Sequence, residues 1–208
     1  MKKLGLAALA ACTLTLPLAQ TSLAAPPKTD PSFRFVVSAG LTTGGDTIDT
    51  LKYKKGGSVD IKAGGLVQIG AGVRYQQPGS PFSLLGTVNY HVDNATAKNG
   101  DARFDRIPLE LMGFYHWNNG WQFGGGLRHT MNARFKESID GQPDITIDYE
   151  DTASLVLQVG YGNPRVWGGL RYVNESFQQK QIRVGNLYAD VLQKTDGSHV
   201  GLFGYYAF

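Results

Sequence analysis

Cysteine is nearly absent from this 208-residue chain: Cys12 is the single one. It falls in a segment that the first residues mark for removal. Lys2 and Lys3 are followed by an apolar stretch from Leu4 to about Ala19, then by the small-residue site Ser22-Leu23-Ala24 before Ala25. That is the layout of a secretory signal peptide. Leu9–Cys12 also reads as a lipoprotein processing box, but the apolar run before Cys12 is short and apolar sequence continues beyond it. Cleavage after Ala24 leaves 184 residues and no cysteine, so an exported domain has to hold itself together without a disulfide. An excess of charge of one sign is lacking too. Without Lys2 and Lys3 the 20 basic residues become 18 against 17 acidic ones, a net of +1, which gives no polybasic footprint for nucleic acid. After the signal there is no apolar run of about 18 residues, and hence no transmembrane helix. No Gly-rich phosphate loop or nucleotide motif is present.

What the chain does have is glycine (27), aromatic residues and strict alternation. In 65–75, Val67, Ile69, Ala71, Val73 and Tyr75 share one face, with Gln68, Gly70, Gly72 and Arg74 on the other. In 106–117, Ile107, Leu109, Leu111, Gly113, Tyr115 and Trp117 oppose Arg106, Pro108, Glu110, Met112, Phe114 and His116. Period two is the signature of extended chain with two unlike faces. It predicts eight strands over 33–43, 65–76, 82–94, 103–117, 121–135, 146–161, 166–179 and 197–208. Their length suits tilted membrane crossing, which needs about 9–11 residues.

The connections alternate as well. Segments 77–81, 118–120 and 162–165 are tight and rich in Pro, Gly and Asn, as turns require. Segments 44–64, 95–102, 136–145 and 180–196 are longer and polar, and 44–64 itself alternates about its Lys54-Lys55-Gly56-Gly57 tip, as a projecting hairpin would. The sequence leaves the conformation of 180–196 open between helix, hairpin and loop. Tyr75, Phe82, Trp117, Trp121, Tyr161, Tyr206 and Phe208 fall on the apolar face near the short-turn ends of their strands, where a membrane-interface girdle belongs.

An alternating last strand that ends on Tyr206 and Phe208, an even strand count and the turn/loop asymmetry together resemble the eight-stranded outer-membrane barrels of the OmpA/OmpX type. The resemblance covers nearly all of the mature chain and is one of architecture. It implies an all-β fold: an eight-stranded antiparallel transmembrane β-barrel, an up-and-down meander with short periplasmic turns and longer extracellular loops. On this reading 1–24 is the signal peptide, 25–32 a short periplasmic segment and 33–208 the barrel, with both termini periplasmic in a Gram-negative outer membrane. Tyr206 and Phe208 would be read by the barrel-assembly machinery.

An eight-stranded barrel is just wide enough for side chains to fill. A hairpin centred on residue 119 sets Glu110 opposite Arg128, Met112 opposite Gly126 and Phe114 opposite Gly124. Arg34, Arg74, Arg171 and Glu175 share the inward parity. A glutamate among arginines in a narrow lumen should be paired, because an uncompensated buried charge is costly. These residues read first as a structural plug and second as the gate of a narrow pore.

Arg128–Asn132 looks superficially like the His-x-Ser-Asn element of the lipid A deacylases, but Met131 stands where the nucleophilic serine belongs, leaving no attacking group. The expectation is no enzyme and no cofactor. His91 and His199 face inward without a short ligand spacing, and the carboxylates in 148–151 lack the regular order of a calcium loop, so no metal is expected. The role implied is envelope-structural, with loops carrying Tyr53, Lys54, Lys55 and Tyr188 for adhesion or ligand contact. The partners would be outer-membrane lipid, lipopolysaccharide and an unknown extracellular ligand. A narrow channel for small solutes or small apolar molecules is the alternative, and a lipid-modifying enzyme comes third.

Overall fold

Residues that alternate between bulky apolar and small or polar types satisfy two different surroundings only as strands with one face outward. The computed structural model describes residues 33–52, 58–97 and 100–208. The expected signal peptide 1–24, the segment 25–32 and Tyr53, Lys54 and Lys55 lie outside them. The described residues form β1 (Phe33–Gly44), β2 (Thr47–Lys52), β3 (Ser58–Lys62), β4 (Leu66–Gln76), β5 (Phe82–Ala97), β6 (Gly100–His116), β7 (Trp121–Ile139), β8 (Ile145–Tyr149), β9 (Thr152–Gly162), β10 (Val166–Asn174), β11 (Ser176–Val184), β12 (Leu187–Asp190), β13 (Lys194–Asp196) and β14 (His199–Ala207).

Eight of these close a barrel. The antiparallel order is β1, β4, β5, β6, β7, β9, β10, β14 and back to β1. The closing seam runs from Val36 opposite Ala207 to Gly44 opposite His199, so the wall has no free edge there. At one end the turns are tight. Gly120 has φ 91°, a backbone state that glycine adopts without cost, and its N–H donates to the Trp117 carbonyl (3.2 Å). Asn163 Oδ1 accepts from the N–H groups of Arg165 and Val166, each at 2.9 Å.

At the other end the chain builds hairpins. The region expected as one strand over 146–161 is broken at Glu150–Asp151 into β8 and β9. The upper part, β8, pairs with β7 and β11, while β9 continues the barrel beside β7. Segment 180–196 completes a hairpin, with β12 and β13 both along β11. In 44–64, β2 and β3 pair as a hairpin. Its Ile61 and the adjoining Ala63 are buried with Phe104, Phe135, Tyr149 and Phe177, so this hairpin folds onto the top of the lumen.

A β-bulge sits between Asp105/Ile107 and the facing part of β7, where Asn132 has φ 54°. One extra residue reverses the side-chain parity. Arg128 and Thr130 point inward below the bulge, and Ala133 and Phe135 point inward above it.

The outward face is apolar. Leu41, Ile69, Val88, Leu111, Leu127, Leu157, Leu170 and Leu202 are all exposed. From Ile107 on β6 to Trp117 just past its end, the outward residues are apolar. Roughly ten steps of ~3.3 Å, tilted ~40°, span about 25 Å, the height of an apolar membrane band. Ion pairs begin beyond it, with Arg103 to Asp105 at 3.7 Å, Arg134 to Asp148, and Lys180 to Glu150 at 3.7 Å. This is a membrane-spanning surface.

Glycine lets neighbouring strands of the wall approach closely at some positions and not at others. A Cβ on Gly126 would run into the Leu111 carbonyl oxygen and lie 2.7 Å from the Met112 Cα, whereas one on Gly86 meets nothing within 4 Å. Gly126→Ala is expected to lower stability by about 1–3 kcal/mol through overpacking. Gly86→Ala should stay within about 0.5 kcal/mol of the parent. Urea midpoints read by heat-modified gel mobility check the pair.

Candidate functional site

The lumen is the place where polar chemistry concentrates, because the inward face of every wall strand carries at least one polar or charged residue. At mid-height Glu110 on β6 receives two arginines. Arg171 on β10 donates from Nη1 to both of its oxygens (3.0 and 2.7 Å), and Arg128 on β7 donates from Nη1 to Oε1 (3.1 Å). Gln68 on β4 ties the pair together: its Oε1 accepts from Arg128 Nη1 at 3.0 Å. Glu175, in the break between β10 and β11, pairs with Arg128 Nε at 3.3 Å and accepts from Thr130 Oγ1. Glu110, Arg128, Arg171 and Glu175 are all buried. At so low a local dielectric such charges persist only when paired and hydrogen-bonded.

Arg34 and Arg74 share the inward parity but do not join this cluster. They stand directly opposite each other on β1 and β4, at the short-turn mouth, where both Nη1 groups approach the Pro164 carbonyl (3.4 and 3.5 Å). Arg74 also donates to Gln76 Oε1 (2.8 Å) and to His116 Nε2 (3.1 Å), and lies 5.2 Å over the Trp167 ring. The six charged residues singled out in the sequence therefore divide into a central clamp of four and a mouth pair.

The central layer has further members: Tyr205 and Arg106, which carried no role in the sequence reading, and His91, which was expected to face inward. Tyr205 accepts from Arg171 Nη2 (2.7 Å) and donates to Gln158 Oε1 (2.8 Å). His91 Nδ1 accepts from Arg128 Nη2 (3.1 Å). An imidazole that accepts at Nδ1 carries its proton on Nε2, and that N–H donates to Thr42 Oγ1 at 2.8 Å. The Arg106 Nη2 that lies 3.2 Å from His91 Nε2 then faces another donor. Arg106 Nη2 donates to the Gly65 carbonyl (3.5 Å), and its guanidinium lies 4.8 Å from the Phe104 ring and 5.7 Å from that of Phe177, as cation–π contact allows. Glu175 and Asp93 lie within electrostatic reach of it. Its inward parity on β6 was the available signal. Its aromatic seat was not legible, because Phe177 comes from a distant strand.

The layer is sealed on both sides. Arg106 touches the upper apolar cluster, and Arg171 lies 4.3 Å over Phe203 in the lower one. The lower cluster includes Val36, Leu85, Met112, Phe114, Trp167 and Tyr205. A continuous column links the short-turn mouth to the central clamp: Arg74 on Trp167, Trp167 stacked on Tyr205 at 4.8 Å and 4°, Tyr205 to Arg171, and Arg171 to Glu110.

Outside, Phe82, Trp117, Trp121, Tyr161, Tyr206 and Phe208 are exposed, and Tyr75 packs against Phe33 at 4.9 Å. Phe35, Tyr115 and Phe123 belong to the same belt. His129 faces outward beside Leu109, while Thr130 turns inward. Asp148 pairs with Arg134, Glu150 with Lys180, and Asp151 accepts from the Asn132 N–H. The carboxylates of 148–151 therefore bond to separate partners.

Comparison with known proteins finds no family model and no curated sequence that matches the chain. Solved structures do match. One is Ail, the attachment invasion locus protein of Yersinia pestis, in complex with the heparin analogue sucrose octasulfate, at 10% identity over 85% of this chain and 97% of that one, TM-score 0.49. A second is Neisserial surface protein A, at 11% identity over 86% and 98%, TM-score 0.45. A third is the outer membrane protein AlkL in lipid bilayers, at 14% identity over 90% and 97%, TM-score 0.47. At such identities and scores these likenesses assign no ligand or role to this chain.

Removing Glu110 leaves Arg128 and Arg171 facing each other. Glu110→Ala is expected to cost about 3–5 kcal/mol, the usual range for breaking a buried ion pair. Glu110→Gln, which keeps hydrogen-bond acceptance, should cost less. A urea midpoint unchanged in both would contradict the clamp.

Proposed function

We propose that this protein is a non-enzymatic barrel of a Gram-negative outer membrane, with a closed lumen and a surface-exposed crown of hairpins that serves envelope integrity and surface binding or adhesion. The observation that carries the reading is the lumen itself. Two apolar clusters enclose the clamp of Glu110, Glu175, Arg128 and Arg171, and the β2–β3 hairpin adds Ile61 to the upper cluster. The side chains of Phe104 and Phe177 on one side of that clamp, and of Met112 and Trp167 on the other, are buried in the lumen.

On this reading the tight turns and both termini are periplasmic, and the hairpins extracellular. Outer-membrane lipid meets the leucine band, and lipopolysaccharide meets the charged belt that begins at Arg103 and Arg134. The barrel-assembly machinery reads Tyr206 and Phe208. The crown offers Leu187, Tyr188 and Leu192 to an extracellular ligand, all three strongly exposed. Non-enzymatic action is supported by His129 lying on the outward face with Met131 two residues on.

Planar-bilayer conductance of the refolded protein tests the reading. A folded protein, shown so by gel mobility, is expected to stay silent. Discrete openings that change with Glu110→Gln would replace it with the narrow-channel reading, in which Glu110 and its arginines form the gate.

A further inference from the structure

The short-turn mouth holds a cavity of about 300 Å³, bordered by Arg74, His116, Gln122, Trp117, Trp121 and Asn163. None of its lining residues among the described ones is acidic. Arg74 is more than nine-tenths buried, and the acceptors it reaches there, Gln76 Oε1, His116 Nε2 and the Pro164 carbonyl, are all neutral.

The His116 tautomer adds a donor. Its Nε2 lies 3.1 Å from Arg74 Nη2, which can only donate, and 2.7 Å from Ser83 Oγ. Nε2 is therefore the acceptor, and the proton sits on Nδ1. Arginine, the Nδ1–H and the Gln122 amide together give a concave site that is donor-rich and positively charged.

We propose that this mouth binds a phosphate-class oxyanion, with Arg74 as the principal ligand and His116 Nδ1–H and Gln122 completing the shell. Arginine suits phosphate through charge-assisted hydrogen bonds; Arg74 Nη2 is committed to Gln76 and His116, so Nη1 makes the contact. Two sources supply that chemistry. One is free phosphate or a small phosphorylated solute. The other is the headgroup of a phospholipid in the adjoining leaflet. The second is within reach over the rim, because Trp117 and Trp121 also wall an apolar groove with Phe123 on the lipid side.

The protein carries only three tryptophans. Trp117 and Trp121 border the cavity, and Trp167 lies under Arg74, so intrinsic fluorescence reports on the mouth. The protein refolded in dodecyl maltoside, which holds no phosphate, is titrated with inorganic phosphate at fixed ionic strength against chloride. A second titration uses phosphatidylglycerol. A saturable change with inorganic phosphate supports the site and assigns it to a free anion. A change with phosphatidylglycerol alone supports it and assigns it to the lipid. Arg74→Gln should weaken the response about tenfold, the scale of losing one charge-assisted interaction. Asn163→Asp is the second variant: its carboxylate keeps the oxygen that accepts from Arg165 and Val166 N–H, so the turn is retained, and its charge at the rim should weaken binding likewise. No saturable response to either titrant, or a response that both folded variants leave unchanged, would overturn the proposal.

Discussion

Compensation of buried charge inside a closed wall is the constraint on which the rest of this structure depends. Eight strands leave a lumen that side chains must fill, and three guanidiniums, those of Arg106, Arg128 and Arg171, lie within it. Glu110 answers two of them at once, since Arg171 Nη1 spans both of its oxygens and Arg128 shares one. Glu175 holds Arg128 from the other side. Each residue comes from a different place on the wall, so these bonds cross-link β6, β7 and β10 through the interior as the ladder hydrogen bonds link them around the circumference.

The apolar clusters follow from that arrangement. A charge layer is strongest where water is excluded, and the packing above and below it excludes water. Phe104 and Phe177 seat Arg106 by their ring faces, while Phe203 seats Arg171 by its ring face and Tyr205 by its hydroxyl. The bulge at Asn132 belongs to this design, because without the parity change Ala133 and Phe135 would face out and the upper cluster would lose part of its wall. The mouth differs in kind. Arg74 has neutral hydrogen-bond partners and borders a cavity.

Much of this was legible in the sequence for a simple reason. Period two is a local property, and a tight turn such as that after Trp117 fixes which residues oppose one another. Glu110 opposite Arg128 and Phe114 opposite Gly124 follow from counting across that turn. Arg171 meeting Glu110 does not, since β6 and β10 are far apart along the chain and touch only across the lumen. The break at Glu150–Asp151 and the bulge at Asn132 were hidden as well: each depends on how a hairpin leaves the wall, and alternation reads smoothly through both. Segment 180–196 alternates too weakly to choose a hairpin, and it forms one because β11 offers a pairing edge.

Dipolar-recoupled solid-state NMR between the Arg171 guanidinium nitrogens and the Glu110 side-chain carboxyl carbon, in lipid bilayers, tests the central claim most directly. The account predicts a strong short-range transfer, as a 2.7 Å ion pair across the lumen requires. Its absence in folded protein would mean that the two residues do not meet and that the interior is not closed by this clamp.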